Sequence, residues 1–315
     1  MRQGIDSLIA NVRSVFFGSD QAIEQALTTL LAGGHLLIED LPGVGKTLLA
    51  RALAQSFHLD FRRIQFTPDL LPTDVTGLNV FDPRERVFSF IEGPVFTNVL
   101  LADEINRASP KTQSALLEAM EERQVSVDGK PLPLPEPFFV IATQNPIELA
   151  GTYPLPEAQL DRFLMRVSLG YPTPEDEARI LESHRLGEPV DRLGAVMDRE
   201  ELLALIEAAR RVEPRPAVRD YVVRLANATR QSDAFAIGLS PRGSLALMRA
   251  AQALSLLRGR DYVSPDAVQD VALPVMSHRL VVSSQAHYAG GEVCGLIQEI
   301  LDRLPVPTLE SARSG

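Results

Sequence analysis

The sequence predicts an α/β fold, a parallel sheet between helices, followed by a mainly helical domain. Three observations predict it. The apolar run Leu36-Leu37-Ile38 empties into the glycine-rich turn Pro42-Gly43-Val44-Gly45-Lys46-Thr47, and that turn opens a helix. Two more unbroken apolar runs, Val99–Ala102 and Phe138–Ala142, read as strands covered on both faces, with helical stretches between them. Beyond Tyr171-Pro172-Thr173-Pro174, nearly every segment carries helix signals.

Taken in order, residues 1–33 read as two helices around Val15-Phe16-Phe17-Gly18. The first strand is Leu36–Glu39. In the turn that follows, Gly43 and Gly45 let the backbone fold tightly, so that successive N–H groups point inward at an anion. The helix behind it, Thr47 to about Phe57, adds its positive N-terminal end. Lys46 can reach the β- and γ-phosphates, and the Thr47 hydroxyl can ligate Mg²⁺. The expected nucleotide-binding residues are therefore Pro42, Gly43, Val44, Gly45, Lys46, Thr47 and Leu48. The strict pattern places a glycine where this chain has Asp40. A tight turn carrying a solvated lysine is the alternative for the motif alone.

Phe61–Phe66 forms the next strand. Val99–Ala102 ends in Asp103-Glu104. A carboxylate at the C-terminal end of a buried parallel strand lies beside the phosphate-binding loop in a doubly wound sheet. Asp103 would hold Mg²⁺ through water together with Thr47, and Glu104 would polarise the attacking water. A helix N-cap is the other use of such a pair. After the strand Phe138–Ala142, Asn145 sits where an amide can orient the lytic water and sense the γ-phosphate; Asn-Pro as a simple turn is its alternative. Leu155–Phe163 reads as a short helix leading into a strand, Leu164–Leu169. Arg162 at its end can project across a subunit boundary, or pair with Asp161 or Glu157.

Two hairpins interrupt this plan. Val80-Phe81 and Val87–Phe90 flank the turn Asp82–Arg86, and Gln124–Val127 pairs with Lys130–Pro135 across Asp128-Gly129. Tyr171–Pro174 is the expected domain boundary, because two prolines cannot continue a helix or a central strand. It divides a core, 1–171, from a helical domain, 172–315. Thr173-Pro174, Ser240-Pro241 and Ser264-Pro265 each place a capping residue before a proline at the first helical position. The helices expected are Glu175–Arg185, Arg199–Arg211, Pro216–Ser232, Pro241–Arg258, Pro265–Ser277 and Glu292 to about Leu304. Leu280-Val281-Val282 could form a minor strand, and Pro305 onward reads as a tail.

Composition narrows the function. The chain has 315 residues, 45% of them hydrophobic and 23% charged, with a net charge of −10. That balance argues against bulk nucleic-acid binding, and no apolar stretch is long enough to insert into a membrane. The N-terminus carries no signal-peptide apolar core. The single cysteine, Cys294, excludes an intramolecular disulfide and fits a reducing cytoplasm.

These elements, in this order, resemble AAA+ ATPases, and within them the MoxR family. The likeness is carried by Leu37–Thr47, Leu101–Ala108 (Leu-Ala-Asp-Glu-Ile-Asn-Arg-Ala), Ile141–Pro146, Leu155–Phe163 and Leu239–Arg242. Asp40 is familiar in that family. The resemblance implies Walker A at Lys46 and Thr47, Walker B at Asp103 and Glu104, and sensor 1 at Asn145. Arg162 then matches the trans-acting arginine finger. Arg242 matches sensor 2, reaching from a lid to the γ-phosphate of its own subunit. Val15–Gly18 would touch the adenine. The two hairpins match the helix-2 insert and the pre-sensor-1 insert, which in related rings face a central pore and contact the client. Arg107, just after Walker B, could also face a neighbour.

The family further implies ATP and Mg²⁺ as cofactors and a homo-oligomer, most often a hexameric ring. It implies chaperone-like maturation of a protein client, with a partner carrying a von Willebrand factor A domain. Three rivals share parts of the pattern: a magnesium-chelatase-like motor subunit, a nucleic-acid motor, and a nucleotide-gated scaffold with little turnover. The Asn-Arg after Asp103-Glu104-Ile105 favours the MoxR reading over the first, the acidic balance argues against the second, and the intact Glu104, Asn145 and Arg162 argue against the third.

Overall fold

A computed structural model describes residues 2–146 and 151–307. The chain opens with two amphipathic helices, α1 (Arg2–Arg13) and α2 (Asp20–Leu31). Strand β1 (Leu36–Glu39) leads through the glycine-rich turn into α3 (Lys46–Ser56) and β2 (Phe61–Gln65). A short helix α4 (Pro72–Thr76) precedes the first hairpin, β3 (Gly77–Asp82) and β4 (Val87–Glu92). Next come β5 (Val99–Asp103), α5 (Pro110–Glu122), the second hairpin β6 (Gln124–Val127) and β7 (Lys130–Pro133), and β8 (Phe139–Gln144). A single-turn helix α6 (Glu157–Leu160) and β9 (Met165–Val167) complete the sheet-bearing part.

The remainder is helical: α7 (Pro174–Ser183), α8 (Arg199–Arg211), α9 (Pro216–Gln231), α10 (Pro241–Leu257), α11 (Pro265–Met276), α12 (Ser284–Tyr288) and α13 (Val293–Arg303). Two small strands, β10 (Phe235–Ile237) and β11 (Val281–Val282), pair antiparallel within it. The minor strand at 281–282 is thus present. Its partner, Phe-Ala-Ile, is too short to announce itself by alternation and becomes a strand through that pairing. Thr173, Ser240 and Ser264 accept the backbone N–H three residues on, each followed by proline at the first helical position. Asp198 and Glu201 form a reciprocal capping box on α8. The Asp128-Gly129 turn has φ of 49° and 78°, the doubly left-handed turn that joins two twisted strands closely.

The five parallel strands run in the order β2-β5-β8-β1-β9. Connections leave β1 on one side for β2, β5 and β8, and β9 pairs on its other side. The C-terminal end of β1 is therefore the switch point, where an open parallel sheet leaves a crevice. Alternation along the strands sorts the core into two halves. Leu36, Ile38, Leu101, Ile141 and Val167 face one side, and their cluster continues through α1, α2, α3 and the helices α8 to α11. Leu37, Leu100, Ala102, Val140 and Ala142 face the other, packed under α5 by Leu116, Leu117 and Met120. The helical part thus shares one apolar core with the sheet, except for α7 and the short α12, which have no buried residue.

The expected strand Leu164–Leu169 is realised only as Met165–Val167. Ser168, Leu169 and Gly170 leave the sheet to serve Asp40, as described below. The expected tail falls largely on 308–315, which lie outside the described residues.

Candidate active site

The cleft at the end of β1 has a volume of about 480 Å³ and is lined by residues of the glycine-rich turn, Pro42 through Leu48. Gly43 and Gly45 have φ of 87° and 90°, a conformation that favours glycine. Gly45 is the N-cap of α3 and brings no capping side chain, so the first N–H groups of the helix are left to a ligand. Lys46 donates through Nζ to the carbonyl oxygen of Asp40 at 2.6 Å. Burial lowers its affinity for a proton, against the opposing charges of Asp103, Asp40 and Glu104.

Asp40 explains the missing glycine. It is not among the residues with positive φ, so glycine has no conformational advantage there. Its Oδ1 accepts the Leu41 N–H at 2.8 Å. Its Oδ2 accepts the Ser168 hydroxyl at 2.8 Å and the N–H groups of Leu169 and Gly170 at 2.7 and 2.8 Å. Burial raises its pKa, but these hydrogen bonds outweigh burial and leave it below the usual value. The carboxylate ties the start of the turn to the chain that leaves β9.

Asp103 and Glu104 also line the cleft, with Asn145. Parallel pairing of β5 with β8 sets Ala102 against Ala142, which brings Asp103 beside Thr143. The Thr143 hydroxyl donates to Asp103 Oδ1 and accepts the Glu104 N–H. Arg63 pairs with Asp103 Oδ2, and Gln65 donates to Glu104 Oε2 at 2.7 Å. Arg107 donates to the same Glu104 oxygen at 3.0 Å, so it serves a carboxylate of its own subunit. Glu104 itself has φ 55°, which turns its carboxylate out of the strand.

On the opposite wall stand Phe16, Phe17 and Gly18, with Ile180, His184 and Glu188 from α7 and its extension. The Arg179 guanidinium stacks over the Phe17 ring at 4.5 Å. Apolar Phe17 and Ile180 suit a flat ring, while the turn and Lys46 suit phosphate. Among the described residues, no group of three or more His, Cys, Asp or Glu side chains could hold a metal. Thr47 and Asp103 suit instead an ion that keeps phosphate and water ligands, as Mg²⁺ does.

The sequence reading missed Arg63, Gln65 and Thr143. The signal was available in part: Arg63 and Gln65 sit two apart at the end of a strand and so share a face.

Arg162 and Arg242 are not in this cleft. They line a separate groove with Glu121, Arg123, Asp161, Arg249 and Arg279. Arg162 pairs with Glu121 rather than with Asp161 or Glu157. Arg242, expected from the resemblance to reach the phosphates of its own subunit, stands here beside Arg162 and apart from Lys46. Helix α10 is buried along α2, α8 and α11, and that packing aims its first turn at the C-terminal end of α5.

Comparison with known proteins agrees with this geometry. Residues 35–165 match the ATPase family associated with various cellular activities (AAA), and residues 227–300 match the AAA lid domain. The chain is 46% identical to Chaperone MoxR1 of Mycobacterium tuberculosis, over 90% of this chain and 77% of that one. It is 32% identical to Protein MoxR of Methylorubrum extorquens, over 92% and 91% of the two chains. A crystal structure of a Cytophaga hutchinsonii protein described as an ATPase superposes with a TM-score of 0.90 at 36% identity, covering 98% of this chain and 96% of that one. Fold, cleft and relatives agree: this chain belongs to the MoxR family of AAA+ ATPases.

Proposed function

We propose that the chain hydrolyses ATP in a cleft completed by a second copy, within a homo-oligomeric ring of hexameric type, and uses the cycle to remodel a protein client. The observation that carries this reading is the division of the site. Lys46, Asp103, Glu104 and Asn145 line one cleft, while Arg162 and Arg242 lie together in another groove. Two arginines with no phosphate to meet in their own subunit fit donors to the cleft of the next.

In this reading Lys46 and the N–H groups of the turn hold the phosphates. Thr47 and Asp103 hold Mg²⁺, which when bound neutralises charge on the phosphate oxygens. Glu104, aimed by Gln65 and Arg107, accepts a proton from the attacking water, and Asn145 orients that water. Arg162 and Arg242 of the neighbour stabilise charge on the transferring phosphoryl group. Residues 1–171 act as the nucleotide-binding core and 172–315 as the lid, in a cytoplasmic protein. Client contact is assigned to the β3–β4 hairpin, where the exposed Phe81 and Phe88 rings meet at a tilt, centroids 5.1 Å apart. A partner with a von Willebrand factor A domain belongs to the same reading.

Mixing two inactive variants tests it. Glu104→Gln lacks the base and Arg162→Ala lacks the finger. Co-assembly creates interfaces with both groups intact, and part of the ATPase activity returns. A mixture that co-assembles and binds ATP but regains nothing overturns the trans arrangement.

A further inference from the structure

Glu121 lies in the last turn of α5, outside every motif discussed above. Its two carboxylate oxygens are divided between two arginines from distant parts of the chain. Oε1 accepts from Arg242 Nη1 at 3.0 Å, and Oε2 pairs with Arg162 Nε at 3.1 Å. One carboxylate thus sits between a guanidinium on the link from α6 to β9 and one in the first turn of α10.

We propose that Glu121 is a positioning residue for the reaction in the next subunit: it holds Arg162 and Arg242 as a pair for the neighbour's transferring phosphoryl group. The inference rests on the trans reading of those arginines. Three features carry it.

The first is which nitrogens the pairing uses. Arg162 faces Glu121 Oε2 with its Nε edge as an ion pair, and none of its guanidinium N–H groups makes a hydrogen bond to a described residue. Arg242 is hydrogen-bonded through Nη1 to Glu121 and lies as a looser ion pair beside Asp161 at 3.5 Å, leaving Nη2 without a hydrogen bond among the described residues. A guanidinium held along its side keeps donors at its tip for a phosphate.

The second is the support behind the pair. Asp161 is fixed by the buried Arg279, which donates to it at 2.6 Å and also to the carbonyl oxygens of Phe163, Leu164 and Val275. Arg242 is therefore gripped by one anchored carboxylate and one on α5. A half-exposed ion pair adds little to stability. The arrangement is better explained by aim than by folding energy.

The third is charge. Two guanidinium groups brought together repel, and the carboxylate between them offsets that repulsion. An amide at this position can accept from one arginine, but its NH₂ group faces the other.

Helix α5 also joins Glu121 to the cleft of its own subunit. The buried Gln113 donates to Ile105 O and Ala108 O at 3.2 Å each and to Tyr153 O at 2.9 Å. The helix is thereby fastened to the segment that follows Glu104.

The experiment uses full-length Glu121→Gln, with Glu121→Ala as a second variant. The expected result is a fall in kcat of about tenfold or more, with KM for ATP and fluorescent-nucleotide affinity within about twofold of wild type. Mixing decides the role. Glu121→Gln subunits keep Glu104, and Glu104→Gln subunits keep the arginines and Glu121, so that mixture regains activity. Glu121→Gln mixed with Arg162→Ala regains none, because both lesions lie on the same side of the interface. Wild-type turnover in both Glu121 variants overturns the proposal. So does a mixture with Glu104→Gln that co-assembles without recovery, or recovery with Arg162→Ala. The control mixture of Glu104→Gln with Arg162→Ala separates the two levels: its failure overturns the trans reading and this proposal together, while its success alongside a failed Glu121 result overturns this proposal alone.

Discussion

The Thr143 hydroxyl donates to Asp103 Oδ1 across 2.6 Å, and Thr143 Oγ1 itself accepts the Glu104 N–H at 2.8 Å. One side chain on β8 thus orders both acidic residues at the end of β5. The arrangement follows from parallel register, since Ala102 opposite Ala142 leaves the next residues side by side.

Replacing Thr143 by valine keeps the shape and removes both bonds. The expected outcome is a 10–100-fold lower kcat, because the carboxylates lose their fixed aim, and a stability loss of about 1 kcal/mol. Thr143→Ser keeps the hydroxyl and stays near wild type. Steady-state ATPase assays with urea unfolding check this, and an unchanged kcat in the valine variant refutes it.

Restoring the strict glycine pattern at position 40 is expected to harm the protein. Asp40→Gly, like Asp40→Ala, strands the N–H groups of Leu169 and Gly170 and frees the chain leaving β9. Each variant should lose about 3 kcal/mol in urea unfolding, the scale of losing hydrogen bonds to a buried charge. ATP affinity should fall as well, since the backbone carbonyl that orients Lys46 survives the substitution but loses the side-chain tether that places it. A glycine variant as stable as wild type would show that the tether does not matter.

Stability should decline in mild acid, and His35 is one cause. Its Nδ1 accepts the Val140 N–H at 3.0 Å and its Nε2 donates to Met120 O at 3.1 Å, which requires the neutral ring. Burial drives its pKa from 6.5 down to about 4. The unfolded chain therefore binds the proton first. The stabilising difference is full above pH 6.5 and is lost as pH falls from there toward 4, by about 2 kcal/mol between pH 7 and pH 5 for this residue alone. Buried His278, lowered well below 6.5 by burial and by Arg279, acts in the same direction. Urea unfolding at the two pH values measures the slope, and a flat profile contradicts it.

What was legible in the sequence was local. Glycine spacing, caps followed by proline, and apolar runs ending in acids each depend on a few neighbouring residues, and they positioned Lys46, Asp103, Glu104 and Asn145 in one cleft. What was not legible depends on packing between remote segments. The direction of Arg242 is set by how α10 beds against α2, α8 and α11, and no local pattern around Ser240-Pro241 carries that. Glu121 looks like any acid in an exposed last turn until the fold brings two arginines to it. Asp40 reads as a flaw in a motif until its partners at 168–170 are known.

The missing core of α7 has a mechanical consequence. The helices α8 to α11 beyond it are bedded into the same apolar mass as the sheet. Helix α7 and its extension span the stretch between two pins, Gly170 held by Asp40 and Asp191 held by Arg51. Both pins belong to the phosphate-binding unit, one just before its turn and one on α3. The joints are the exposed Tyr171 and the glycine at 187, whose φ is 105°. This strap is about 15 Å long over its ten helical residues. Its place over the cleft mouth is therefore set by the phosphate-binding unit rather than by the rest of the helical domain.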